Sequence, residues 1–191
     1  MKRKSIKEEI RKYFFINPTS KLRVRQIERE LKLPLPSVIR YCRELEKEGV
    51  LKIEKISGIY LYSADRASKE YLIEKRLFNI KLMFECGLVE YIVKEYSNPT
   101  IILFGSYSKG EDIEKSDIDL YIQTFKKEIK TEKFERFLKR KIQVFVYSDI
   151  RQIKNPHLMN NIINGITING FLEVFKWKMH PGAIVCTQIL H

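Results

Sequence analysis

Residues 101–122 read Ile-Ile-Leu-Phe-Gly-Ser-Tyr-Ser-Lys-Gly-Glu-Asp-Ile-Glu-Lys-Ser-Asp-Ile-Asp-Leu-Tyr-Ile, and this stretch decides the fold of the larger part of the chain. Ile101-Ile102-Leu103-Phe104 is a short, β-branched-rich apolar run followed by turn residues, which predicts a buried strand. Gly105 and Gly110 allow a backbone to pass close to phosphates, and Ser106 adds a hydroxyl donor. Asp117 and Asp119 flank Ile118 and lead into Leu120-Tyr121-Ile122. On a strand, residues two apart point to the same face, so both carboxylates project together. Two hard oxygen ligands side by side suit Mg²⁺ carrying substrate phosphates, and the segment as a whole suits a nucleoside triphosphate.

Gly105-Ser106, a spacer from Tyr107 to Ser116, and then Asp117-Ile118-Asp119 resemble the signature of the DNA polymerase beta-like nucleotidyltransferases, and of their minimal bacterial and archaeal members most of all. The resemblance implies a small mixed sheet with flanking helices, Mg²⁺ held by Asp117 and Asp119, and a triphosphate such as ATP held by Gly105, Ser106, Lys109 and Gly110. It also implies transfer of a nucleotidyl group to a hydroxyl on protein, nucleic acid or a small molecule. Active members carry a third carboxylate on a later strand, in a basic-apolar-Asp-apolar context. The matching segment here is Arg140-Lys141-Ile142-Gln143-Val144-Phe145-Val146, with Gln143 where that Asp is expected. Glutamine has no basic oxygen to accept a proton at neutral pH. Asp149 shares the parity of Gln143 but lies roughly 20 Å further along an extended strand. The chain is therefore a candidate enzyme whose turnover is in question, and nucleotide sensing without turnover is the alternative.

The 191 residues suffice for one ordinary domain or two small ones. The net charge of +12 is uneven: residues 1–66 hold 17 Lys and Arg against 9 Asp and Glu, the other 125 hold 19 against 15. A small basic half is the electrostatic footprint of a polyanion binder. Within it, Ser5 is an expected N-cap with Glu8 as capping-box partner. Ile6, Ile10, Tyr13 and Phe14 form a helical stripe, a second helix is expected over Val24–Leu31, and a third over Ser37–Glu48, stopped by Gly49. Val50–Lys55 and Ile59–Tyr62 read as a hairpin turning at Ser57-Gly58. Helix, helix, turn, helix and hairpin, with Leu45-Glu46-Lys47-Glu48-Gly49 at the end of the third helix, resemble a winged helix-turn-helix domain. That resemblance sends the third helix into the major groove of double-stranded DNA, with Ser37, Arg40 and Arg43 toward bases or phosphates and Lys52 and Lys55 on the wing. Glu44, Glu46 and Glu48 make the far end of that helix acidic.

The expected organisation is a winged helix over residues 1–65, a helical connector over 66–98, a nucleotidyltransferase-like domain over 99–178 and a tail over 179–191 to which no role is assigned. The fold class is thus a two-domain α+β and α/β chain. The connector is apolar beyond what one role needs, and Tyr71 and Phe78 serve either a homodimer interface or packing between the domains. Lys126–Lys141 reads as a basic amphipathic helix with Ile129, Phe134, Phe137 and Leu138 inward, and Pro156–Phe175 as helical, interrupted by Gly165 and Gly170. Cys42, Cys86 and Cys186 have no partner pattern and read as reduced packing thiols. With no signal-peptide pattern and no long apolar run, a cytoplasmic location without membrane contact is expected. An antitoxin-like role, with a protein acceptor as partner, is one function these features fit. A DNA-binding regulator that senses nucleotide is another.

Overall fold

The computed structural model describes residues 5–125 and 128–175. The tail over 179–191, Cys186, and the first residues of the helix expected from Lys126 lie outside them. The chain builds two sheets joined by a long helix. In the N-terminal part, α1 (Ile6–Ile16), β1 (Lys21–Leu22), α2 (Val24–Leu31) and α3 (Leu35–Lys47) precede β2 (Leu51–Ile56) and β3 (Ile59–Ala64). The strands form an antiparallel sheet in the order β1-β3-β2, with Leu51 opposite Ala64 and Ile56 opposite Ile59. Ser57 and Gly58 both have positive φ, the geometry that a two-residue hairpin turn requires. Ile10, Phe14, Ile27, Val38, Cys42 and Leu45 are fully buried between the helices and the sheet. Ser5 occupies the N-cap position of α1 but makes no side-chain cap bond, and Glu8 pairs with Arg11 instead of closing a capping box.

A 17-residue helix, α4 (Lys69–Glu85), starts at Ser68, whose side chain accepts from the Tyr71 amide. Gly87 at φ +77 breaks the helical run and starts α5 (Leu88–Glu95). Tyr71 lies in the N-terminal core, and the Phe78 ring sits 5.3 Å from Phe15. Both residues pack between the two parts of the chain. Further along α4, Met83 joins the C-terminal core. The helix therefore belongs to both hydrophobic cores, and it carries two polar side chains, Lys75 and Asn79, buried between them.

The second sheet has the order β6-β5-β4-β7, from β4 (Thr100–Phe104), β5 (Ile118–Gln123), β6 (Ile142–Tyr147) and β7 (Ile166–Asn169). β4 is antiparallel to β5 and β7, and β5 is parallel to β6. One face buries Ile101, Leu103, Leu120 and Ile122 under α4, α5 and α7 (Glu132–Leu138). The other buries Ile102, Phe104 and Tyr121 against Ile150, Ile153 and α8 (Pro156–Ile163). Two expected helices are shorter than the sequence suggests. α7 begins only after Thr131 and ends where Lys139 turns left-handed, and Phe137 points to solvent while Phe134 and Leu138 face in. The helical expectation over Pro156–Phe175 holds only to Ile163. A Cβ at Gly165 would meet Leu103 O at 2.7 Å, so the chain passes tightly over β4 there and continues as strand β7.

A buried polar cluster joins α4 to the loop after α6 (Gly105–Lys109). Lys75 Nζ and Asp112 Oδ2 are 2.7 Å apart, with both side chains essentially inaccessible. Asn79 donates to Asp112 Oδ1 at 2.8 Å and to Tyr107 O at 2.9 Å. Arg140 lies 3.9 Å from Asp112 and donates to Ile16 O of α1 at 3.1 Å. Burial pulls the Lys75 ammonium below its ordinary pKa, and Asp112 opposes that shift. Removing one partner strands the other charge. Asp112→Ala is expected to lower stability in denaturant unfolding by about 3–5 kcal/mol. Lys75→Met combined with Asp112→Leu should lose less than that single variant, because neither charge is left behind.

Candidate functional site

The motif region is built by a sharp change of direction at the end of β4. Phe104 is extended at φ −136° and ψ −170°, Gly105 turns at φ +73°, and α6 follows. A Cβ on Gly105 would lie 2.2 Å from Asp119 Oδ2. The glycine is therefore required twice, by its left-handed backbone and by the carboxylate that occupies the space of its missing side chain. Phe104 is the antiparallel partner of Asp119, and Gln143 is the parallel partner of the same residue. Asp119 thus stands between a glycine turn and a glutamine. Asp117 precedes β5 by one residue and shares the parity of Asp119.

Burial raises the Asp119 carboxyl above its ordinary pKa, and the nearby Asp117 charge raises it further. Asp117 is exposed and Asp119 half-buried. Among the described residues no group of three His, Cys, Asp or Glu is arranged to hold a metal ion. The donor set is two carboxylates with a neutral amide in the third place. The chemistry of the pair still fits a divalent cation, since a cation there would offset both the mutual repulsion and the desolvation that the carboxylates carry. Asp149 takes no part, because it caps the 3₁₀ turn Ile150–Gln152 and pairs with Arg151.

The other predicted phosphate contacts separate. Ser106 lies at the start of α6, one residue after the glycine that Asp119 abuts, and Lys109 is exposed at the end of that helix. Gly110 turns the other way: a Cβ there would meet Leu72 O of α4 at 2.5 Å. Its left-handed backbone serves the close approach of the loop to the connecting helix. That loop is then tied down at several points. Thr19 donates from its amide and its hydroxyl to Glu114 at 3.0 Å, and Arg66 donates to Glu111 O at 3.3 Å. With Lys75 and Asn79 on Asp112, the segment leading to Asp117 is held by the N-terminal part and by α4 together. Nothing in the motif's spacing points to these partners, which come from residues 19, 66, 75 and 79.

In the N-terminal part, Ser37, Arg40 and Arg43 follow one another along α3. Arg40 is exposed, lies 4.3 Å over the Tyr41 ring and sits 3.8 Å from Glu44. Glu44 and Glu48 turn toward α1, where Lys7 lies 3.4 Å from Glu44 and 2.5 Å from Glu48, and Arg11 pairs with Glu48 at 3.2 Å. Glu44 and Glu48 are thereby bound within the chain, while Glu46 is exposed. Lys52 and Lys55 fall on opposite faces of the hairpin. Lys55 stacks 5.5 Å over Tyr60, whereas Lys52 pairs with Glu54, which Lys21 also holds. A cleft of about 770 Å³ between the start of α2 and β3 brings Arg23, Arg25 and Arg29 to Tyr60 with no acidic residue in its lining. Sequence reasoning missed these three arginines because they follow no motif, although the basic run Lys21-Leu22-Arg23-Val24-Arg25 was there to be read.

Residues 87–170 match the family described as Polymerase beta, Nucleotidyltransferase. The matched span covers α5, the whole second sheet and the Gly105–Asp119 motif, and it supports a nucleotidyltransferase domain in the C-terminal half. No curated protein matches the chain. Among the described residues, no helix is long and apolar enough to cross a membrane.

A carboxyl whose pKa is raised by folding weakens the fold at pH values above its unfolded pKa, where the unfolded chain ionises it freely, and has no such effect below both values. Asp119→Asn is therefore expected to raise the melting temperature at pH 7 and to leave it unchanged near pH 3. Unchanged melting at pH 7 would contradict the strain assigned to this carboxylate. Gly105→Ala should lower the melting temperature, since its Cβ and the Asp119 carboxylate cannot both be accommodated.

Proposed function

We propose that the C-terminal domain binds a nucleoside triphosphate with Mg²⁺ and transfers its nucleotidyl group to a hydroxyl acceptor, while the N-terminal part is a winged helix that binds double-stranded DNA. The observation that carries the first half is the Asp119 carboxylate lodged against Gly105, with Asp117 on the same side and the family match around them. Polymerase beta-type domains generally use divalent metal ions, and Asp117 and Asp119 would hold the ion here. It would neutralise charge on the phosphates and fix them for in-line displacement. Gly105, Ser106 and Lys109 would meet the triphosphate. In turnover the acceptor oxygen bonds to the α-phosphorus. The bond from that phosphorus to the oxygen bridging it to the β-phosphate breaks, and pyrophosphate leaves with the electron pair. The acceptor proton goes to solvent, because Gln143 has no basic oxygen to take it.

The register of Gln143 favours a second reading as well. It sits directly beside Asp119, where a third carboxylate would serve as base. On that reading the domain senses nucleotide without turnover and passes the signal to the DNA-binding part. Support for the DNA-binding half is the element order, the antiparallel hairpin, the inward-turned Glu44 and Glu48, and the arginines around α2 and α3.

A labelled-nucleotide transfer assay separates the two readings. Transfer in the parent supports the enzyme. Transfer only in Gln143→Asp supports the sensor, and no transfer in either, with nucleotide bound, rules out the enzyme. For the basic half, Arg40→Ala with Arg43→Ala should weaken duplex binding and flatten its log–log salt slope by about 0.9 for each phosphate no longer neutralised. An unchanged slope would contradict the placement of α3 on DNA.

A further inference from the structure

The helix α4 is apolar on two opposite sides. It turns Tyr71, Lys75, Asn79 and Met83 inward, where all four are buried. Ile73, Leu77, Ile80 and Phe84 occupy the other side. At about 100° per residue these four fall in a stripe roughly 60° wide that points away from the buried side. Ile73 is 45%, Leu77 61% and Phe84 52% exposed, and Ile80 is half-buried. A single exposed apolar side chain is ordinary on a protein surface. A helix that is hydrophobic all round belongs in an interior. The chain supplies that interior for one face of α4 and leaves the other to solvent.

The steps of four, three and four residues are those of a coiled-coil seam, with Leu77 and Phe84 at a positions and Ile73 and Ile80 at d positions. A two-fold axis across the middle of the stripe sets each a beside a d. Leu77 then meets Ile80 of a second copy, and Ile73 meets its Phe84. The seam ends there, because the next layer would bring Glu70 to Gly87, which interrupts the helix and has no side chain.

The flanking charges set the direction. With the helices antiparallel, Glu74 meets Lys81 of the second copy, and symmetry makes this contact twice. Arg11 lies 3.1 Å from Glu74 Oε2, which leaves Oε1 for the partner. Lys81 lies 3.6 Å from Glu85 in an exposed pair of the kind that contributes little. With the helices parallel, Arg76 would face Lys81, and that repulsion would offset the attraction of Lys69 for Glu74. The face is therefore complementary to itself when reversed, which is the requirement of an isologous dimer.

We propose that the outward face of α4 is a self-association surface, on which a second copy of this chain docks antiparallel through Ile73, Leu77, Ile80 and Phe84. The inference does not depend on nucleotide transfer or on DNA binding. The seam is about 16 Å long, so the association belongs to the small, reversible class.

Sedimentation equilibrium of the nuclease-treated full chain, run over a range of protein concentrations, tests this. The mass should rise with concentration from 22.8 kDa toward twice that value. In Leu77→Gln/Phe84→Gln the dissociation constant should rise on the order of tenfold or more, because two apolar side chains no longer gain by burial. Both positions are exposed in the single chain, so thermal melting of this variant at high dilution should match the parent. Lys81→Glu should also weaken association, and Glu74→Lys/Lys81→Glu should recover it. A parent that stays at 22.8 kDa at every concentration overturns the proposal. Association that Leu77→Gln/Phe84→Gln leaves unchanged places the contact elsewhere and overturns it too. Failure of the charge exchange to recover association overturns the antiparallel register.

Discussion

The buried contact between Lys75 and Asp112 is the constraint on which the rest of the arrangement depends. Two ions removed from water are tolerated only if each finds the other and their remaining bonding capacity is met. Here Asn79 supplies the second carboxylate oxygen with a donor and Arg140 adds positive charge nearby. The pair spans α4 and the motif loop, so it fixes the helix that both hydrophobic cores share against the segment that delivers Asp117. Gly110 permits that contact by letting the loop lie on the α4 backbone. Ion pairs in such places stabilise little in themselves, but they penalise every alternative in which the partners separate. The effect is to make the loop a fixed mount.

The same mount ties the two parts of the chain. Thr19 and Ile16, at the end of α1 and just after it, bond to Glu114 and Arg140, which border the carboxylate site. A change in the N-terminal part therefore reaches Asp117 through few intervening groups. Thermodynamic linkage makes any coupling along these ties reciprocal between the carboxylate site and the N-terminal part. These ties give the two proposed functions, DNA binding and nucleotide binding, a shared structural link.

Much of this was legible in the sequence. The Gly-Ser turn and Asp-x-Asp appear as a strand end, a short helix and a strand start, because a tight turn and a period of two leave few other solutions. Gln143 falls beside Asp119 because the apolar run from Ile142 admits one register that keeps Ile142 and Val144 on the buried face. The hairpin was readable from Ser57-Gly58. What could not be read are contacts between residues distant in sequence, such as Lys75 with Asp112 and Thr19 with Glu114. A buried lysine on a helix looks like any surface lysine until its partner is placed. Gly110 looked like a phosphate-loop glycine for the same reason, since the neighbour that demands it lies on α4. The strand at Ile166–Asn169 was masked by the apolar helix before it, and only the close passage of Gly165 over β4 separates the two.

The account stands most directly on what Asp117 and Asp119 bind. Calorimetric titration of the four ribonucleoside triphosphates onto the full chain, with Mg²⁺ and then with EDTA, measures this without assuming turnover. The account predicts saturable binding of at least one triphosphate that needs Mg²⁺ and is lost in both Asp117→Ala and Asp119→Ala while duplex DNA binding is kept. Binding that survives either substitution, or no binding of any triphosphate by the parent, would contradict it.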